Sequence, residues 1–230
     1  MNIINNYMNN IKKVQIYGER CSGTNYLEEL LMINFNVEII WDYGWKHFFG
    51  HNDLSNSNDV LFIGIVRNLD DWINSLYREK HHLYIKHEDT LNDEEKLNHY
   101  LNSEHYSIDH NENNIEIMED RNMYTKERYS NIFELRHIKN KYLIETLPTL
   151  VKNYCLIIHD NLINDFVNVM NNIKNNNLEI KQNIEFPLNI TYYKKEKDIQ
   201  FIKKENTISN EIIIEKANLF YEKILFPDLY

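Results

Sequence analysis

The chain has 230 residues, of which 43% are hydrophobic, and a formal net charge of −10 at pH 7. This composition predicts a folded chain with a core, and the acidic balance disfavours a general nucleic-acid binder, which needs a net basic surface. Cys21 and Cys155 form neither a disulfide framework nor a metal-ligand spacing, so a reducing compartment is expected. No signal-peptide pattern and no run of ~20 apolar residues occurs, which predicts a cytoplasmic protein without a membrane partner.

The first third of the chain alternates short apolar runs with helical spacings. Apolar residues recur every three or four positions from Thr24 to Asn34, which predicts a helix. Asp70 and Asp71 predict the N-cap of a second helix. The longest apolar run, residues 60–66, is typical of a parallel strand that is covered on both faces. Strands are predicted over residues 14–17, 37–41 and 60–66.

The remainder of the chain continues the alternation after an acidic segment. Residues 87–124 predict an insertion or lid, and their histidines lack metal-ligand spacing and are expected on the surface. Further elements are predicted as a helical region over 129–143, a strand over 154–158, a helix over 162–173, a basic stretch over 192–204 and a terminal helix over 209–225. Strands that alternate with helices predict a single α/β domain over residues 1–230, a three-layer sandwich with a central parallel sheet.

The first candidate site is the loop Gly-Glu-Arg-Cys-Ser-Gly-Thr, residues 18–24, between a strand and a helix. Such a loop presents backbone N–H groups and a helix N-terminus to an anion. Gly18 and Gly23 have the P-loop spacing, but Thr24 and Asn25 stand where that motif has Lys-Ser/Thr. Because that lysine contacts the β- and γ-phosphates, an ordinary ATPase is disfavoured and a P-loop-like phosphate site without a metal is predicted. A plain strand-to-helix turn is the alternative interpretation.

The second candidate site follows the most apolar strand. Arg67 comes directly after that strand, and Ser75 lies about two turns into the next helix. Ligands of open α/β sheets bind outside the carboxyl ends of the strands, and an arginine fork suits a phosphate. A surface arginine and a helix serine without a ligand are the alternative interpretation of these two residues taken alone.

Together, the two segments resemble the sulfotransferases that use 3′-phosphoadenosine 5′-phosphosulfate (PAPS). Ser22-Gly23-Thr24 is similar to the core of their Lys-Ser-Gly-Thr-Thr loop, which binds the 5′-phosphosulfate. Residues 67–77 are similar to their 3′-phosphate segment, with Arg67 and Ser75 at the family spacing. Residues 158–162 resemble a later strand-end segment of the family, which often ends in Glu-Asp-Leu.

The resemblance implies transfer of the sulfuryl group from PAPS to a hydroxyl or amine of a glycan or small-molecule acceptor, with release of PAP. No metal is implied. The residues that would bind the donor are Arg20, Cys21, Ser22, Gly23, Thr24, Asn25, Arg67 and Ser75.

The chain departs from the family at the catalytic cation. Cys21 stands at the usual lysine position and Arg20 at the position of the leading proline. Arg20 or Lys46 is the candidate for the missing positive charge. His47 is the candidate general base, since histidine titrates in the useful range, but a histidine packed beside aromatic residues is an equal alternative.

Two other functions stay open from these residues. One is a nucleotide or small-molecule kinase with a degenerate P-loop. The other is a protein that binds PAP without catalysis, which the departure at Cys21 favours.

Overall fold

A computed structural model describes residues 10–79, 90–109, 112–190 and 204–230, together with two short strands between the last two ranges. The strands are β1 (Lys13–Tyr17), β2 (Glu38–Ile39), β3 (Val60–Val66), β4 (Ile108–Asp109), β5 (Ile115–Glu116), β6 (Asn153–Ile158), β7 (Tyr193–Lys194) and β8 (Lys197–Asp198). The helices are α1 (Thr24–Asn34), α2 (Leu69–Arg78), α3 (Asp93–Asn102), α4 (Ile132–Lys141), α5 (Leu147–Leu150), α6 (His159–Asn164), α7 (Phe166–Lys174), α8 (Asn210–Lys216) and α9 (Phe220–Leu225).

A four-stranded parallel sheet forms the centre of the fold, in the order β2-β1-β3-β6. Val14 of β1 pairs with Leu61 of β3, and Leu61 pairs in turn with Asn153 of β6. The predicted α/β class and the central parallel sheet are therefore confirmed. Because the strands are parallel, their carboxyl ends meet at one edge, where the loops after β1, β3 and β6 come together.

Both faces of this sheet are covered, which explains the continuous apolar pattern of β3. Leu61, Ile63 and Ile65 pack on the side of α1 and α7. The alternate residues Phe62 and Val66 pack on the side of the π-helical turn that extends α4 and of α5. Side chains alternate between the faces of a strand, so every position of β3 needs an apolar residue. The arrangement is compatible with a three-layer sandwich.

Three predicted elements differ from those observed. The helix over 162–173 is two helices, α6 and α7, which meet at Asp165, and the terminal helix over 209–225 is divided into α8 and α9 by an extended Ala217. The prediction that Asp70 and Asp71 cap α2 is wrong. The cap is Asn68, whose side-chain oxygen accepts a hydrogen bond from the Asp71 amide at 2.9 Å. The two aspartates lie in the first turn, where carboxylates interact favourably with the helix dipole.

The acidic segment 87–124 contains α3, the β4–β5 hairpin and a 3-10 turn over Met118–Asp120. The expectation that its histidines lie on the surface is wrong for His105, which is only 5% exposed. His87, His110 and most of the basic stretch 192–204 lie outside the described residues. None of the helices in the described part of the chain combines the length and apolarity needed to cross a bilayer.

Candidate functional site

The loop between β1 and α1 has two glycines because neighbouring atoms approach its backbone closely. A Cβ on Gly18 would lie 2.8 Å from the carbonyl oxygen of Ile65. Gly23 is the N-cap of α1 and has a left-handed backbone with φ 90°. A Cβ on Gly23 would lie 2.4 Å from Cδ2 of His159. Gly18 therefore allows the loop backbone to lie close to β3, and Gly23 allows it to lie close to His159 at the end of β6.

The N-terminus of α1 carries amides that are unused within the described residues. Helix α1 has 11 residues, and no side chain caps its N-terminus. Among the hydrogen bonds between described residues, none uses the amides of Gly23, Thr24 or Asn25 as donors. Unbonded donors at the positive end of a helix dipole favour a bound anion.

The structure brings Arg67 and Ser75 to the same loop, at Cys21. Arg67 Nη1 donates to the Cys21 carbonyl oxygen at 3.2 Å, and the Ser75 side chain lies near enough to the Cys21 thiol to favour its ionised form. Burial raises the pKa of the Cys21 thiol, although the nearby Ser75 side chain and the charges of Arg20 and Arg67 oppose this shift. Cys21 is therefore a neutral thiol at pH 7, between the two residues predicted to bind a phosphate.

A segment after β2 fixes the start of the loop and orients the candidate base. The amide of Gly18 donates to the Lys46 carbonyl oxygen at 3.0 Å, and His47 Nδ1 lies 2.7 Å from the Gly18 carbonyl oxygen. Because a carbonyl only accepts, Nδ1 carries the proton and Nε2 keeps its lone pair. Burial lowers the pKa of His47 to about 4, with the positive charges of Arg20 and Lys46 acting in the same direction and Glu19 opposing. His47 is thus neutral at pH 7.

The Lys46 ammonium lies beside the first turn of α1. It donates to the side-chain oxygen of Asn25 and to Glu28 Oε2, the latter at 3.2 Å. It also lies 5.3 Å from the ring centroids of both Trp41 and Trp45. Glu28 was not predicted as a site residue from the sequence. Its three-residue spacing from Asn25 on α1 is the signal that would have placed both on the face toward Lys46.

The Arg20 side chain lies in a buried cluster of charges. Its Nη2 donates to Asp120 Oδ2 at 2.9 Å, its Nη1 donates to Ser107 Oγ at 2.6 Å, and its Nε lies 3.1 Å from Glu19. Lys139 Nζ joins the cluster through Asp120 at 2.7 Å and Glu19 at 2.5 Å. The four charged side chains are each at most 5% exposed. We call these four side chains, together with Ser107, the buried charge cluster. The role of Arg20 as a donor-binding or catalytic residue stays a prediction.

The acidic members of the cluster are ionised. Burial opposes the charge on Asp120, but Arg20 and Lys139 outweigh this effect and hold the pKa of Asp120 well below its usual range. The pKa of Glu19 is lowered for the same reasons, against burial and against the charge of Asp120. Two cations and two anions therefore neutralise one another beneath the loop.

Ser22 faces a small cavity beneath the loop. Its hydroxyl oxygen is buried and has no hydrogen-bond partner among the described residues. The cavity, which has room for about one water molecule, is lined in part by Glu19, Arg136, Lys139 and Asn140. An internal water bridging the Ser22 hydroxyl to these groups would satisfy it.

The end of β6 completes the edge of the sheet. His159, 7% exposed, packs against Gly23, and Asp160 accepts hydrogen bonds from the Asn68 amide at 3.3 Å and from Asn68 Nδ2 at 2.9 Å. Burial, together with the charge of Arg67, lowers the pKa of His159 to about 4. Asp160 therefore ties the start of α2 to β6, while His159 reaches the loop.

Comparisons of the chain with protein-family models, with curated proteins and with solved structures give no match.

The predicted site residues form two groups around the loop. Cys21, Arg67 and Ser75 meet on one side of it, and Lys46 and His47 contact it on the other. Within the described ranges, no group of three or more His, Cys, Asp or Glu side chains is placed to hold a metal ion. The geometry suits an anion held by backbone amides and an arginine.

Proposed function

We propose that the chain binds a 3′-phosphorylated nucleotide at the β1–α1 loop and is a PAPS-dependent sulfotransferase. In this proposal the fold is a three-layer α/β sandwich with a P-loop-like loop. The acceptor is a hydroxyl or amine of a glycan or small molecule, and PAP is released. The observation that carries the proposal is the contact of both Arg67 and Ser75 with Cys21, which joins the two segments that resemble this family.

Donor binding would use two kinds of group. The amides of Gly23, Thr24 and Asn25, which donate to no acceptor among the described residues, would receive the 5′-phosphosulfate at the positive end of α1. The Arg67 guanidinium and the Ser75 hydroxyl would receive the 3′-phosphate, which distinguishes PAPS from ATP. No metal is needed for either contact.

Turnover would depend on His47 and Lys46. Nε2 of His47 has the lone pair that a general base needs, and Nδ1–H is held by the Gly18 carbonyl. The acceptor oxygen or nitrogen would attack sulfur in line, and the S–O bond to the 5′-phosphate of PAP would break. Lys46 would stabilise the charge that develops on the leaving phosphate, which requires its ammonium to exchange Glu28 for the ligand.

A binding experiment tests the 3′-phosphate site. Calorimetry with PAP and with ADP should show a preference for PAP in the wild type, and Arg67→Gln should abolish that preference. A hydrogen bond to a charged group contributes about 1.5–3 kcal/mol, so PAP should bind about 10- to 100-fold more weakly. Arg78→Gln, in the last turn of α2, is the matched control and should keep the preference. Equal affinity of the wild type for PAP and ADP would refute the assignment.

A second candidate is a protein that binds PAP without transferring sulfate. It is favoured by the neutral Cys21 thiol at the usual lysine position and by the ion pair that occupies Lys46. PAP formation from PAPS with a panel of hydroxyl and amine acceptors separates the two. Turnover that is lost in Lys46→Met and His47→Gln supports the enzyme. PAP binding without turnover supports the second candidate, and Mg²⁺-dependent ATP turnover would instead support a degenerate kinase.

A further inference from the structure

The side chain of Arg136, on α4, bonds to the backbone of the arginine that is proposed to bind the 3′-phosphate. Its Nη2 donates to the Arg67 carbonyl oxygen at 2.7 Å, and the Arg136 side chain is only 5% exposed. Arg67 lies between Val66, the last residue of β3, and Asn68, the N-cap of α2, so its carbonyl belongs to neither element. A buried side chain from another helix therefore reaches the junction that carries Arg67.

The bond to this carbonyl helps to fix the direction in which the Arg67 side chain leaves the backbone. The peptide group before Arg67 continues from β3, where Val66 pairs with Ile158 of β6. Since a peptide group is planar, a hydrogen bond to the Arg67 carbonyl restrains the whole plane that follows. With the planes on both sides restrained, the Cα–Cβ bond between them is restrained as well. From this start the guanidinium reaches the Cys21 carbonyl oxygen at 3.2 Å.

The orientation of Arg136 is set in turn by Glu222, on α9. Arg136 Nε donates to Glu222 Oε1 at 2.8 Å, and Arg136 Nη2 donates to Oε2 at 3.0 Å. Asn140 Nδ2 also donates to Oε1, at 2.9 Å, and Glu222 is only 2% exposed. Because the guanidinium is planar and rigid, a carboxylate that holds Nε and Nη2 directs the other Nη2 hydrogen toward the Arg67 carbonyl.

The same guanidinium packs against a residue that holds the β1–α1 loop. Cζ of Arg136 lies 5.0 Å from the ring centroid of Trp72, whose indole Nε1 donates to the Arg20 carbonyl oxygen at 2.9 Å. Arg136 thus contacts the β3–α2 junction directly and the loop through Trp72. These are the two segments that the proposed function combines.

We infer that Arg136, held by Glu222, is a positioning residue for the 3′-phosphate site, which sets the direction of the Arg67 side chain without touching the nucleotide. The inference rests on the proposed function, in which Arg67 binds the 3′-phosphate. It makes the discrimination between nucleotides with and without this phosphate depend on two buried side chains, from α4 and α9, that lie outside both candidate sites.

Calorimetry with PAP and with ADP on Arg136→Lys tests this role. The readout is the ratio of the two affinities, because a loss of folded protein lowers both apparent affinities by the same factor. Arg136→Lys keeps the positive charge beside Glu222 but lacks the planar fork, so the Arg67 carbonyl loses its fixed donor. A net hydrogen-bond contribution corresponds to about a 2- to 10-fold change in binding, and the preference for PAP should fall by that factor. Glu222→Gln should lower it in the same direction, and decides the question if Arg136→Lys does not fold.

Two further variants separate positioning from a general loss of stability. Met170→Ala removes a fully buried side chain of α7, in the part of the core on the side of α1 and α7, and should keep the wild-type ratio. The double variant Arg67→Gln/Arg136→Lys should have the same ratio as Arg67→Gln, because Arg136 acts through Arg67.

Three outcomes overturn the inference. They are a wild-type ratio in the Arg136 or Glu222 variant that folds, an equal fall of the ratio in Met170→Ala, and a ratio for the double variant that differs from that of Arg67→Gln. A wild type that prefers PAP, together with an Arg67→Gln variant that does not, leaves the proposed function intact in all three cases. Equal affinity of the wild type for PAP and ADP overturns the proposed function and the inference together.

Discussion

Removal of the Asp120 carboxylate is the perturbation with the largest expected effect on stability. Asp120 is fully buried and joins both cations of the buried charge cluster, at 2.9 Å from Arg20 and 2.7 Å from Lys139. Asp120→Asn keeps the shape of the side chain but leaves two buried cations with only the carboxylate of Glu19. Breaking a buried ion pair by removing one partner costs about 3–5 kcal/mol. We expect Asp120→Asn to lower the free energy of unfolding by that amount at pH 7.

The assay is equilibrium unfolding in urea, followed by tryptophan fluorescence and by circular dichroism. The matched control is Asp59→Asn, because Asp59 is 70% exposed and lies 3.7 Å from Lys13, so its loss should change stability by about 0.5 kcal/mol or less. The double variant Asp120→Asn/Lys139→Met also removes one of the two cations that Asp120→Asn leaves unpaired. It should therefore recover part of the lost free energy of unfolding. Stability of Asp120→Asn within 1 kcal/mol of the wild type, at an unchanged urea dependence, would refute the reasoning.

Two further predictions concern the loop and the buried histidines. Gly23→Ala should cost about 2–4 kcal/mol, because φ is 90° and the new methyl group would overlap His159. Gly44→Ala, at φ 102°, should cost about 1–2 kcal/mol, because the nearest atom to its Cβ is Nδ2 of the Asn52 side chain at 3.2 Å. His105 has its pKa lowered to about 3, chiefly by burial, so the stability it contributes is complete above pH 6.5 and is lost as the pH falls toward 3. Between pH 6.5 and pH 5, the free energy of unfolding of the wild type should fall by about 2 kcal/mol more than that of His105→Gln in urea titrations. His99→Gln is the control and should lose as much stability as the wild type. Equal losses for Gly23→Ala and Gly44→Ala, or equal pH slopes for the wild type and His105→Gln, would contradict these predictions.

The fold was predictable where the pattern is local. Helix α1 and strand β3 have the bounds that the sequence predicts, because a helical apolar period and a continuous apolar run are signals carried by neighbouring residues. The break at Asp165 was not predictable, since apolar residues continue through it and tertiary packing decides where the chain bends. Asn68 was missed as a cap because two aspartates with the same preference follow it closely.

The candidate site was predictable where strand ends bring residues together. The rule that ligands lie at the carboxyl ends of parallel strands placed Arg67 beside the loop, and the structure has that contact. The buried charge cluster gave no such signal. Ser107 and Asp120 lie far from Arg20 in sequence, within an acidic segment whose composition is typical of a solvent-exposed surface. Only the folded chain shows that this segment supplies a counter-charge to the loop.

The contacts of the loop fix its backbone, and among the described residues they use none of the amides of Gly23, Thr24 and Asn25. Gly18 is fixed through its amide and carbonyl by residues 46 and 47, the Arg20 carbonyl accepts from Trp72 Nε1, and the Cys21 carbonyl accepts from Arg67. A ligand that binds a preorganised loop does not have to order it, so more of the contact energy appears as affinity. Trp72→Phe removes the indole donor but keeps an aromatic ring in the core. It should therefore weaken anion binding at the helix N-terminus through the loop, without the loss of any group that would touch the anion.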